Sequence, residues 1–494
     1  MTNLFIGIDI GTTGTKAILL DADQGVIASA SRSSQLFSPK AGYSESDLAE
    51  WYSNVVSCIK ELIATSGASP ASIKGIASSG MVPAVVLMDR NNQPLRKAIL
   101  QNDARAVSEI SEIATELSHF DFVQETGSVL SQQSIAPTAR WLQKNESDNW
   151  MNTSYLVGSY DWILIALGAN PHVEQNWAIE SGLFDISGNP HPEVLRAAGL
   201  SESQLPAVKH PGDKVGELSA EAADELGLLA GTGLFVGGAD HVLSAYGAGV
   251  SNAGDWLIKL GGAGDVLVMS DKLVLDKRLY LDAHPVAGGW LPNGCMATSG
   301  SLIRWFQSIT GETDLVAMDA LAEKEQAATI LCLPYFLGEK SPHHDPDLRG
   351  VFFGMHLGTS KAELYRSILE AIAYGFRHHR DIFIEAGLQV SKAMVTNGGS
   401  KSVFWKQVLA DVLNTELHPV INHPGASLGA AVIAGVGQGS IADLSEINRF
   451  VSLGETVKPN PENVETYNQA FKQWHELNSA TTSIAHELAE RTRL

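Results

Sequence analysis

Basic residues are in short supply in this chain. Its 34 lysines and arginines face 55 aspartates and glutamates over 494 residues, a formal net charge of −21. A nucleic-acid binder needs a basic footprint to neutralise phosphates, so that class is set aside. A free anionic ligand would also be repelled, so any phosphate site must rely on directed N–H groups or a metal. Cysteine is scarcer still. Cys58, Cys295 and Cys332 are scattered and odd in number, with no CxxC or His/Cys cluster. That excludes a disulfide framework and a zinc site and fits a reducing compartment. No apolar run reaches the ~20 residues of a membrane span. Asp9 breaks the one N-terminal stretch that could pass for a signal sequence, so the cytoplasm is the expected location. No GxGxxG opens a helix after the first strand, and Gly14 and Lys16 do not form a Walker A loop.

What is present begins with "GIDIGTTGTKAILLD", Gly7 to Asp21. Two apolar strands flank a Gly/Thr turn, and an acid sits inside the first strand. A hairpin with a loose turn and a phosphate cradle with a metal partner are both open at this point. Asp9 favours the cradle, because an unpartnered carboxylate in an apolar strand costs several kcal/mol. A third strand follows, then a helix over "SESDLAEWYSNVVSCIKELIATSG" with Trp51, Val55, Ile59 and Leu62 at helical spacing. "IKGIASSG" and "AVVLMDRNNQPL" read as further strands.

The opening recurs at "GDWLIKLGGAGDVLVMSD", Gly254 to Asp271, with helices and strands after it. At 494 residues the chain exceeds one core, so the repeat predicts two related domains, 1–247 and 254–494. Two Gly turns facing one cleft would suit a polyphosphate clamp; a repeated structural hairpin is the plainer alternative. In "LFVGGADHVLSAYGAG" an acid, Asp240, ends a strand and starts a helix. By itself it reads as a helix N-cap, with a metal ligand or general base as alternatives, and His241 as a supporting polar residue. Asn397–Gly398–Gly399–Ser400 opens another helix and suits close approach of a nucleotide or an ordinary cap. The small residues of "HPGASLGAAVIAGVGQG" read as close helix packing. Gln101, Asn102, Asp103 and Arg105 can hydrogen-bond a polyhydroxylated ligand or form a loop salt bridge. "AHELAER" near the C-terminus reads as surface helix.

In this order the pieces resemble the FGGY carbohydrate kinase family, from Ile6 to about Gly439. The motifs are "GIDIGTTGTKAILLD", "GGADHVLSAYGAG", "NGGSKSVFWKQVLADV", "GASLGAAVIAGVGQG" and "GVFFGMHLGTSKAELYRSILE". The resemblance implies an α/β, two-domain actin-like ATPase (ribonuclease H-like) fold with an interdomain cleft. It implies ATP, magnesium and a small sugar or polyol as ligands, with neither nucleic acid nor membrane, and a homodimer as an open option. It assigns magnesium to Asp9 and Asp240, and the general base to Asp240. ATP contacts would come from Gly11, Thr12, Thr13, Thr15 and Lys16, from Gly261, Gly262 and Gly264, and from Gly398, Gly399 and Ser400. Substrate contacts would come from Gly80, Met81, Gln101, Asp103, Asp240 and His241. Four departures stand out: Gly262–Ala263 where the second phosphate loop commonly carries Thr–Ser, Thr138 three residues before Trp141, His241 after the base, and Gln101–Asn102–Asp103 in the substrate turn. "QNDARA" and the length look most like the xylulokinase branch, so a pentulose such as D-xylulose is the expected acceptor. Other ketoses, polyols, sugar acids and glycerol are alternatives, as is an actin- or chaperone-like nucleotide-gated ATPase.

Overall fold

The computed structural model describes residues 3–492. The chain forms two compact units that do not follow chain order alone. The first comprises 1–251, 281–290 and 424–450; the second comprises 252–280, 291–423 and 451–494. The repeat places everything after 254 in the second domain; two later segments, 281–290 and 424–450, instead pack with the first. The reason is visible at Gly7. A Cβ there would lie 1.9 Å from the carbonyl oxygen of Ser427 and 2.6 Å from the amide of Ala431. Helix Ala426–Gly437 therefore lies directly on the first strand, which is the close packing its small residues imply.

The first unit is built on strands β1 (Leu4–Gly11), β2 (Gly14–Asp21), β3 (Gly25–Ser33), β4 (Ile73–Gly80), β5 (Lys214–Glu217) and β6 (Gly233–Ala239), in the order β5–β6–β4–β1–β2–β3. β1, β2 and β3 form an antiparallel meander, while β4 and β6 run parallel to β1. Helix Leu48–Ser66 buries Trp51, Val55, Ile59 and Leu62, starts at an Asp47 cap and stops at left-handed Gly67. "AVVLMDRNNQPL" yields only the short strand Val86–Met88.

The second unit repeats the plan. Six of the seven strands of its sheet, β7 (Trp256–Leu260), β8 (Gly264–Val268), β9 (Trp290–Met296), β10 (Ala393–Thr396), β11 (Leu417–Ile421) and β12 (Ser452–Leu453), run β9–β8–β7–β10–β11–β12; the seventh, at the β9 edge, is Tyr280–Ala283. Here too an antiparallel meander is followed by parallel strands. Helices Lys361–Glu385 and Val403–Leu413 contribute much of its core, including Ile368, Ile372, Phe376 and Leu409. Helix Pro461–Thr492 is no mere surface element: Tyr467, Trp474, Ala485 and Ala489 are buried. No helix among the described residues is long and apolar enough to cross a membrane.

Candidate active site

Register decides what the first unit can do. β1, β4 and β6 are parallel, so their carboxyl ends share one edge of the sheet, where ligands of open α/β sheets sit. Asp9 pairs with Ser79, and Ser79 with Gly238. Asp9 and the β6 terminus are thus two strands apart, about 10 Å by ordinary strand spacing. The Gly11–Gly14 turn and Asp240 emerge at this same edge. Asp9, half-buried, also pairs across β2 with exposed Lys16. Thr12 and Thr13 lie on the accessible surface of the turn.

Asp240 is the first residue of helix Asp240–Gly247; the capping position is Ala239, whose side chain makes no cap. The N-cap reading therefore fails by one residue. The Asp240 Oδ1 accepts the His241 backbone N–H at 2.6 Å and faces His241 Nδ1 at 3.5 Å. The other imidazole nitrogen, Nε2, lies 2.7 Å from Asp282 Oδ2 and 3.8 Å from Glu180 Oε1. Burial disfavours the imidazolium, but the charge of Asp282 and hydrogen bonds to Asp240 and Asp282 outweigh it and raise the His241 pKa well above its usual value. Burial, then the charge of Asp282, pushes the Glu180 carboxyl well up. Sequence reasoning missed Glu180 and Asp282. Each lies outside the motifs, in a segment with no signal of its own, and only the fold joins them to His241.

Several expected contacts are otherwise occupied. Thr15 is fully buried on the core side of β2, so its side chain is not on the turn surface. Gly80 and Met81 are buried, with the Met81 N–H bound to Ile10 and its carbonyl to the Ser159 hydroxyl. Asp103 is spent inside the protein: it accepts from Arg105 at 2.7 and 2.8 Å and from the Ser44 amide at 2.6 Å. Arg105 in turn binds Glu45 at 2.6 Å, so the loop salt bridge is what forms. Among the described residues Gln101 shares no hydrogen bond with the Asp240 cluster, and its buried Oε1 has no hydrogen-bond partner.

In the second unit the Gly261–Gly262 turn follows β7 and the Gly398–Gly399 turn follows parallel β10, again at one carboxyl edge. Between them opens a cavity of about 720 Å³. Gly261, Gly262, Gly398 and Gly399 line it. The Gly262 carbonyl is held by the amides of Ser299 and Ser301. Arg304, which belongs to no sequence motif, also lines the cavity, and its Nη2 stands 3.0 Å from where a Cβ on Gly262 would be. A cation thus stands where this loop lacks hydroxyl donors. Exposed Val316 and Val403 add apolar wall. Asp319 braces the far side through Tyr365 at 2.9 Å and Ser402 at 2.7 Å. Gly264 and Ser400 do not line the cavity. Gly264 is a β8 residue packed toward Phe376, and the Ser400 hydroxyl donates to Asn397.

Sequence profiles of the FGGY family of carbohydrate kinases match this chain twice: the N-terminal domain over 4–247 and the C-terminal domain over 258–437. The chain belongs to the FGGY family of carbohydrate kinases. It is similar to the xylulose kinase of Staphylococcus epidermidis, 31% identical with 98% of each chain covered. It is 28% identical to the xylulose kinase of Bacillus subtilis, with 97% of each covered. Among solved structures it matches a xylulose kinase from Rhodospirillum rubrum with a TM-score of 0.93 and 36% identity, covering 98% of this chain and 100% of that one. This kinase has the two-domain actin-like ATPase fold of those structures, and its activity is ATP-dependent phosphorylation of a sugar.

Proposed function

We propose that this kinase transfers the γ-phosphoryl group of ATP to a hydroxyl of a pentulose, with D-xylulose the first choice, in the cytoplasm. The observation that carries the site is the register that aligns Asp9, the Gly/Thr turn and Asp240 at the carboxyl edge of one sheet. The choice of sugar is supported by full-length relatives named as xylulose kinases.

Asp240 acts as general base. Its Oδ1 is held by the His241 amide, which leaves Oδ2 to accept the proton of the sugar hydroxyl. The freed oxygen attacks the γ-phosphorus in line, the bond to the β,γ-bridging oxygen breaks, and ADP leaves. Gly11, Thr12, Thr13 and Lys16 are phosphate contacts, as are Gly261, Gly262 and Arg304, with the base and ribose near Gly398–Gly399. Such fixed donors and cations stabilise charge as it builds on the transferring group.

Magnesium fits at Asp9, a half-buried carboxylate in the strand that leads into the Gly/Thr turn, since this ion binds through few carboxylates and keeps several waters. When bound it offsets phosphate charge. Glu180, His241 and Asp282, whose ligand atoms lie within 4.8 Å of one another, suit it poorly because one donor is an imidazole already held by Asp282.

A coupled ADP-release assay over pentuloses, tetritols, hexonates and glycerol tests this reading. D-xylulose should stimulate ATP turnover most. An ATPase indifferent to every sugar would overturn it.

A further inference from the structure

We propose that Asp282 is a positioning residue for phosphoryl transfer: it anchors the His241 ring and, through that ring, fixes the carboxylate of Asp240. The inference rests on Asp240 being the general base.

A base at the start of a helix has a rigid backbone, but its side chain can still turn. Asp240 is the most open member of its cluster, with 39% of its side chain exposed. Its Oδ1 is the restrained oxygen. The His241 amide donates to it at 2.6 Å, and His241 Nδ1 faces it from 3.5 Å. The ring thus adds a second restraint to the one the backbone supplies. An imidazole rotates about two side-chain bonds, so this restraint is only as firm as the ring. Asp282 removes that freedom. Its Oδ2 stands 2.7 Å from His241 Nε2, and its own side chain is only 2% exposed. Both ring nitrogens then face carboxylate oxygens and act as donors.

The anchor is itself held from behind. The backbone of Ala283, next in the chain, exchanges two hydrogen bonds with the Asn176 side chain, at 2.6 and 3.0 Å. Asn176 is fully buried in the first turn of helix Gln175–Ser181. Glu174 caps that turn by accepting the amides of Asn176 and Trp177, and it also accepts from the Tyr160 hydroxyl at 2.9 Å. A continuous run of buried contacts therefore leads from Tyr160 and Glu174, through Asn176 and the strand segment of Asp282, to the ring beside Asp240. Supporting contacts of this kind hold a catalytic group in its productive geometry. With Oδ1 held twice, Oδ2 keeps one direction, and a carboxylate free to turn would spend only part of its time there.

The test is a double-mutant cycle read by steady-state kinetics. Asp282→Ala should lower kcat at least about tenfold, the scale of a misplaced catalytic group, and leave the KM for ATP within about twofold. Asp282→Asn keeps an oxygen acceptor for the ring and should hold kcat within about threefold of wild type. In an Asp240→Asn background no base is left to position, so Asp282→Ala should cost less than about twofold. A merely structural Asp282 would cost the same in both backgrounds. Equal losses, an unchanged kcat in Asp282→Ala, or an Asp282→Asn as slow as Asp282→Ala would overturn the proposal. If Asp282→Ala does not fold, His241→Ala removes the ring that Asp282 holds and takes its place in the cycle, with the same outcomes deciding. Full activity in Asp240→Asn would sink the assignment of the base and this inference with it. A slow Asp240→Asn in which the second loss is additive would sink this inference alone.

Discussion

A proton acceptor for phosphoryl transfer must be reachable yet fixed, and Asp240 meets both demands. It starts a helix, so its backbone is rigid, and one carboxylate oxygen is held by the next amide. Asp240→Asn keeps the shape and removes the basicity. We expect kcat to fall by roughly 10²–10⁴, the usual contribution of general-base catalysis, with nucleotide binding within threefold; kinetics and nucleotide titration on one preparation check both. Arg304 offers a separable case. Arg304→Ala should raise the KM for ATP about tenfold and leave the sugar KM unchanged, since a single charge-assisted contact contributes ~1.5–3 kcal/mol. A shift in the sugar KM instead would place Arg304 outside the nucleotide site.

At the scale of elements, close packing and buried histidines carry the consequences. In Gly7→Ala the new methyl would meet backbone atoms of helix Ala426–Gly437, and no rotamer can move those. Overpacking of this kind costs about 1–3 kcal/mol, so the melting midpoint should drop by a few degrees in a thermal scan. Helix Lys361–Glu385 carries His378 and His379. Burial, with Arg278 and the neighbouring His475, His379 and His343 disfavouring a further positive charge, lowers the His378 pKa to about 2; burial, with His343 and His344, lowers that of His379 to about 4. Both are neutral in the fold while the unfolded chain takes up protons near pH 6.5. Stability is therefore fully present above that value and is lost as pH falls from about 6.5 toward 4. Unfolding midpoints measured over pH 4–8 should decline on the acid side, and less steeply in His378→Gln.

The whole molecule is two units threaded by one chain that crosses between them after residues 251, 280, 290, 423 and 450. A fragment of residues 1–251 ends before the helix that covers Gly7 and before the segment carrying Asp282. It should leave β1 uncovered, and we expect no cooperative thermal transition and strong binding of a hydrophobic dye. A sharply melting fragment would show that the later segments are dispensable. The net charge of −21 acts at this scale too. It disfavours free anions broadly, so the phosphate contacts proposed above have to come from local turns and from cations such as Arg304.

The amino-acid pattern alone determined the repeated strand–turn–strand units, the helices and the family, because periodicity, turn residues and contiguous motifs are local properties. It also marked Asp9, Asp240 and the two Gly turns, since those residues are anomalous in their own segments. It could not decide whether Asp103 binds ligand or Arg105, or which threonines of the first turn face outward. Those outcomes depend on burial and on partners distant in the chain. Nor could it find Glu180 and Asp282. Each is an ordinary acid in an ordinary segment, and only helix Gln175–Ser181, clamped to Ala283 by Asn176, brings them to His241. Strand register is the common cause: local sequence sets each strand, while the order in which strands pair decides which distant side chains share an edge.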